Sequence, residues 1–179
     1  MKYLIKTLIV FLITSSLFSQ KQKEKTSKVL DFVSKTGIIL KFEDYKLPSI
    51  KSSYSIAESK IRKIISGNEK KYFLQISKKG KYDTKTASIA YEDALEIQKA
   101  LLRLKAQVEI DVNTKSDYLE NKFITEDGFE VGYYINKGKS TWYINLEKYG
   151  SNNTLFTKNY ESLEEVFQSG KEKIEELKL

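Results

Sequence analysis

The chain has 179 residues, with 31 Lys+Arg against 24 Asp+Glu, a formal charge of +7, and neither His nor Cys. The missing Cys excludes disulfides, thiolate nucleophiles and the usual zinc sites; the missing His excludes His-based triads and the side chain best suited to proton transfer near neutral pH. With 40% hydrophobic and 12% aromatic residues, the composition is that of a chain that buries a core, and the length suits one domain or two small ones.

Lys2 and Lys6 give a basic start, and Leu8 to Ile13 follow as an unbroken apolar run, extended past Thr14-Ser15-Ser16 by Leu17 and Phe18. The run falls short of the ~20 apolar residues that span a bilayer. A basic start, a short apolar centre and small residues near the end predict a secretory signal peptide over residues 1–19, cleaved after Ser19. A buried N-terminal strand or helix is the competing reading. No Cys lies near the cleavage site, which excludes a lipoprotein anchor. The expectation is export to the periplasm or the medium, with no membrane span in the mature chain. The signal carries two Lys and no acid, so the remaining 160 residues hold a charge of +5. That excess fits a soluble, lysine-covered surface better than a commitment to an anionic partner.

Residues 20–36 read as a polar, lysine-rich, flexible leader, with a short helix over Val29 to Val33. The body begins near Gly37. Ile38, Ile39, Leu40 and Phe42 look like a strand that Leu47-Pro48 closes with a turn. Tyr54 to Ile65 alternates like a strand, although Glu58 to Ile65 also fits a helical turn. Lys71 to Ser77 and Thr86 to Ala90 complete four strands.

A helix follows, with Ala94, Ile97, Leu101, Leu104 and Val108 on one stripe, and Asp93 with Glu96 at capping-box spacing. Residues 107–116 are the expected linker. Beyond it, Tyr118 to Ile124, Glu130 to Asn136, Ser140 to Glu147 and Thr154 to Thr157 read as four more strands, with Glu126-Asp127-Gly128 and Lys137-Gly138 as turns. The last helix carries Leu163, Val166, Phe167, Ile174 and Leu177, with Ser162 and Glu165 in the capping-box places.

The two halves resemble each other. Tyr72 to Gly80 lies 70 residues before Trp142 to Gly150, and seven of the nine positions are identical or chemically similar. Each segment leads to a polar turn, a short strand, a Tyr-Glu pair and a helix. This order argues for an internal duplication. The expected fold is therefore α+β: two related antiparallel ββββα units, residues 37–106 and 117–179, each sheet covered on one face by a helix.

Alternation assigns the faces. Tyr72, Leu74 and Ile76 in the first unit, and Trp142, Ile144, Leu146, Val131, Tyr133 and Ile135 in the second, should lie beneath the helices. The opposite faces carry Phe73 and Gln75, and Tyr134, Tyr143 and Asn145. These five are the candidate ligand-binding residues, because rings stack on a flat or apolar ligand while amides supply hydrogen bonds. The competing reading is packing against another part of the chain or a second copy.

Catalytic signatures are missing: no G-x-S-x-G, Walker A loop or G-x-G-x-x-G occurs. Asp111 to Lys122 starts like a calcium loop but places Lys115, Ser116 and Lys122 where an oxygen ligand, Gly and Glu are needed. Asn152-Asn153-Thr154 has the glycosylation pattern, a short motif that often arises by chance. The pairs Glu92-Asp93 and Glu126-Asp127 suit a cap and a turn, which leaves a carboxylate-based hydrolase as a minor reading. No catalytic residue, metal or cofactor is expected.

The stretch Asp117 to Phe123, continued by Glu126 to Tyr134, resembles exported flavobacterial proteins of uncharacterised activity, as do the Lys- and Ile-rich composition and the Ser-Leu-Phe-Ser-Gln export end. In element order, a repeated four-strand-and-helix unit also resembles the whirly and Pur-type single-strand nucleic-acid binders. That likeness implies an aromatic and basic sheet face, which Phe73, Tyr143, Lys71 and Lys78 would supply. Export stands against a nucleic-acid partner. The main expectation is a small exported, non-enzymatic binding or interaction protein.

Overall fold

A computed structural model describes residues 27–52, 55–157 and 160–179. The expected signal peptide and the start of the leader lie outside the described residues. Within the leader, α1 (Lys28–Val33) is the short helix expected there, with Ser27 as its N-cap. The first sheet follows as β1 (Leu40–Lys51), β2 (Ile56–Ser66), β3 (Glu69–Lys79) and β4 (Thr84–Ala90), and then α2 (Tyr91–Asp111). The second comprises β5 (Leu119–Ile124), β6 (Glu130–Asn136), β7 (Lys139–Asn145) and β8 (Thr154–Thr157), and then α3 (Tyr160–Lys178). Each sheet is an antiparallel meander in chain order, so the α+β reading of two ββββα units holds.

Three local expectations are corrected. Leu47-Pro48 does not end a strand, because β1 runs through it to Lys51. Pro48 lacks the N–H a central strand must donate, and it is accommodated on an edge strand where the register shifts between Leu47 and Ile50. Glu58 to Ile65 is strand throughout. Neither capping box forms: α2 starts at Tyr91 with Ala90 as its N-cap and no side-chain cap bond, and α3 starts at Tyr160, so Asp93 and Ser162 both sit inside the first turn. Asp93 instead accepts from Lys28 Nζ at 2.6 Å.

The helix α2 also reaches further than expected, through Asp111, and takes in the first half of the predicted linker. Asp111 is buried and fully engaged: Gln107 donates to Oδ1 at 2.8 Å, and the Tyr133 hydroxyl donates to Oδ2 at 2.7 Å. These bonds hold its carboxyl below the ordinary range. The residue that opens the calcium-like sequence is thus a clamp between α2 and β6.

The predicted inner-face residues and both helix stripes meet in one core. Leu74, Ile76, Ile97, Leu101, Val131, Tyr133, Trp142, Ile144, Leu163, Val166, Phe167 and Ile174 belong to it. The helices do not each stay with their own sheet. The first unit's helix, α2, packs on β5 and β6 as well as β3 and β4, while α3 packs on β1 and β2. Leu74 and Leu47 of the first sheet crowd Gly170 of α3, and the Tyr72 hydroxyl donates to the Leu177 carbonyl at 2.9 Å. No helix among the described residues is long and apolar enough to cross a membrane.

Candidate functional site

The site question concerns the outer face of each sheet, turned away from this core. Laying Tyr72–Gly80 on Trp142–Gly150 sets Phe73 on Tyr143 and Gln75 on Asn145. The strand registers carry the comparison across both sheets. Phe73 lies opposite Arg62 and Ala90, and Tyr143 opposite Gly132 and Phe156. Gln75 lies opposite Lys60 and Ser88, and Asn145 opposite Glu130 and Thr154. One strand further, Asp44 and Lys122 correspond, as do Phe42 and Glu120.

Two interactions occur at the same places in both sheets. An amide meets a hydroxyl across strands: Gln75 Nε2 donates to Ser88 Oγ at 2.8 Å, and Thr154 Oγ1 donates to Asn145 Oδ1 at 2.6 Å. An ion pair joins the first two strands with its signs exchanged. Lys60 meets Asp44 at 2.7 Å in the first sheet; Glu130 meets Lys122 at 3.3 Å in the second.

The faces differ in what lies over them. On the first, α1 sets Phe32 against Phe73, Ile64 and Ala90, leaving Phe73 only 3% exposed. Lys28 ties the helix down from both halves, its backbone N–H donating to Asp127 at 3.0 Å and its ammonium to Asp93. Lys35 meets Glu69 at 3.2 Å. Phe73 is therefore a packing residue, and Gln75 is buried in its cross-strand bond. Neither is open to a ligand, and both lie on a different sheet from the other three candidates.

On the second sheet, Tyr134, Tyr143 and Asn145 do come together. They line a shallow depression of about 410 Å³ with Tyr118, Glu120, Lys122, Glu130, Thr154 and Phe156. Phe156, in the place of Ala90, stands between two tyrosines, its ring centroid 6.2 Å from that of Tyr134 at 87° and 6.2 Å from that of Tyr143 at 56°. Phe156 is 49% exposed and Tyr118 66%. Isolated exposed rings are ordinary; these stand next to one another on one concave sheet face.

The electrostatics of this face are set by two carboxylates. Tyr143 is buried and its hydroxyl donates to Glu120; burial first, then the adjacent carboxylate, push that hydroxyl well above the ordinary tyrosine range. Glu120 is in turn lowered, chiefly by the bond from Tyr143 and also by one from Tyr118. Glu130 accepts from Lys122 and, at 3.4 Å, from Asn145 Nδ2. Among the described residues, no Lys or Arg lies within ion-pair distance of Glu120, and the lining carries one more negative than positive charge.

Glu120, Tyr118, Phe156 and Thr154 were not among the sequence candidates. Alternation alone could have found three of them: Thr154 and Phe156 flank inward Leu155, and Glu120 flanks Leu119. Among the described residues no group of three or more acids is arranged to hold a metal ion. Comparison with protein-family models, curated proteins and solved structures finds no match to this chain.

Proposed function

We propose that this chain is a small exported, non-enzymatic binding protein, built on a duplicated ββββα unit, that takes its ligand on the outer face of the second sheet. One observation carries the reading. On the outer face of the first sheet α1 covers Phe73, Ile64 and Ala90, whereas the corresponding part of the second presents Tyr118, Tyr134 and Phe156 in a concavity edged by polar groups. The recurrence of the amide–hydroxyl bond and of the inverted ion pair supports duplication. The lack of His and Cys supports a role without covalent or proton-transfer chemistry. The basic start of the sequence supports export.

The acids count against the nucleic-acid reading. Glu120 and Glu130 put negative charge beside the rings, which repels a phosphate backbone, and Phe73, one of the two rings that reading requires, is covered by α1. The binding reading is tested by NMR titration of the purified protein with phenol, acetamide, maltose and an oligothymidylate in turn. Shifts confined to Tyr118, Tyr134, Tyr143, Asn145 and Phe156, and lost in Phe156→Ala, are the expected result. No response on this face from any probe, including the charged ones used below, overturns it. Salt-sensitive oligothymidylate binding elsewhere would favour the nucleic-acid reading.

A further inference from the structure

The first sheet contains an internal arrangement that the second lacks. Arg62 projects from its outer face and binds Asp44 through two bonds, Nε to Oδ1 at 2.8 Å and a terminal nitrogen to Oδ2 at 2.7 Å. The same guanidinium lies 5.7 Å from the centre of the Phe42 ring. A planar cation is thus held by a carboxylate and an aromatic face on the surface of the sheet. The second sheet has Gly132 at the place of Arg62. A side chain there would collide with β5, since a Cβ would fall 2.4 Å from the Asn121 carbonyl oxygen. This face therefore supplies no cation of its own at that point. It carries rings and a carboxylate at other places: Tyr118, Tyr134 and Phe156, with Glu120, oriented by two tyrosine hydroxyls, at the place of Phe42 and Lys122 at that of Asp44.

We propose that the second sheet receives the arginine side chain of a peptide, its guanidinium against the aromatic rings and paired with Glu120. This rests on the reading of that face as a binding surface and names what it binds. Charge complementarity selects a cation, because Lys122 makes its ion-pair contact with Glu130 and acts on Glu120 only from a distance, leaving the lining one negative charge in excess. The rings select a flat one. A guanidinium stacks on an aromatic face and forks onto a carboxylate at the same time, whereas an ammonium is more strongly hydrated and presents a point charge. Tyr143 prepares the site by spending its hydroxyl on Glu120, which fixes the carboxylate from below.

The test is an NMR titration of the protein with N-acetylarginine amide, and in parallel with N-acetylcitrulline amide, in which a neutral urea replaces the guanidinium. The expected result is saturable shifts at Tyr118, Glu120, Tyr134 and Phe156, with Kd on the order of 1 mM for this single side chain. Citrulline should bind at least about tenfold more weakly, and Glu120→Gln should cost arginine a similar factor with an unchanged melting temperature. Equal binding of citrulline would end the cation assignment while leaving the face a binding surface. N-acetyllysine amide or choline binding as well as arginine would end the guanidinium assignment. Silence from every probe, charged or neutral, would remove the binding reading itself. Phe156→Ala gives a second check on the rings, and retention of arginine affinity in that variant would overturn their role.

Discussion

The outer faces of the two sheets are the same surface finished in two ways. In the first sheet the small Ala90 leaves room beside Phe73, and a separate helix brings Phe32 to fill it. In the second sheet the corresponding strand position is Phe156, which supplies its own ring and leaves no equivalent seat for a helix. A small-to-large difference on an edge strand, together with the Lys28 anchors of α1, thus goes with the difference between a face covered at Phe73 and one left facing solvent. The charges follow the same division. The first face holds a guanidinium inside its ion-pair cluster, while the second exchanges the signs of its pair and adds Glu120.

The comparison is broken most directly at Phe32. Phe32→Ala removes the ring that covers Phe73, and a loss of about 3 kcal/mol in denaturant unfolding is expected, with α1 becoming sensitive to protease. A smaller effect, about 2 kcal/mol, is expected for Ala90→Phe, which places in the first sheet the ring that the second carries and competes with Phe32 for its space. The amide signals of Lys28 to Val33 should then move toward random-coil positions. If α1 stays seated in Ala90→Phe, the small residue is not what admits the helix.

Acid acts on the edge of the first sheet. Glu43, on the edge strand of the first sheet, is held at about 2 instead of 4.5 by Lys41, Lys63 and Tyr45, and Asp44 is lowered by Arg62. The unfolded chain binds protons on these groups at a higher pH than the folded one, so acidification favours unfolding. Their contribution is present at neutral pH and should be lost as the pH falls from about 4.5 toward about 2. Denaturation midpoints measured down this range should decline less in Glu43→Gln than in the natural sequence. The smallest effect is expected at Phe156. Its ring is half exposed, and Phe156→Ala should cost only about 1 kcal/mol in the same unfolding assay. A loss as large as that at Phe32 would mean the second face is a packed surface after all.

Much of this fold is legible from local pattern. Alternation at Trp142, Ile144 and Leu146 and the helical stripe at Leu163, Val166 and Phe167 determine which side of each element is buried, and the structure places them there. The misread points are those where tertiary contact overrides a local signal. Pro48 reads as a turn, yet an edge strand needs no N–H on its open side. Asp93 and Ser162 have the spacing of caps, but Tyr91 and Tyr160 start their helices earlier. At the candidate site the sequence locates Tyr134, Tyr143 and Asn145 on one face. It could not separate them from Phe73 and Gln75, because nothing local indicates that α1 lies on one sheet and not the other. That choice depends on the size of Ala90 and on the Lys28 anchors to Asp93 and Asp127, all distant in the chain.

The return of the last helix to the first sheet also bears on the order of assembly. Strand pairing in the first sheet is complete at Ala90, but the helix that lies across β1 and β2 begins only at Tyr160. During synthesis α2 can cover β3 and β4 as soon as it is made, but the inner surface of β1 and β2, Ile50 and Ile61 included, must wait until the second half has been made and its final helix folds back. The chain should fold in one late cooperative step, at a pace set by its long-range contacts.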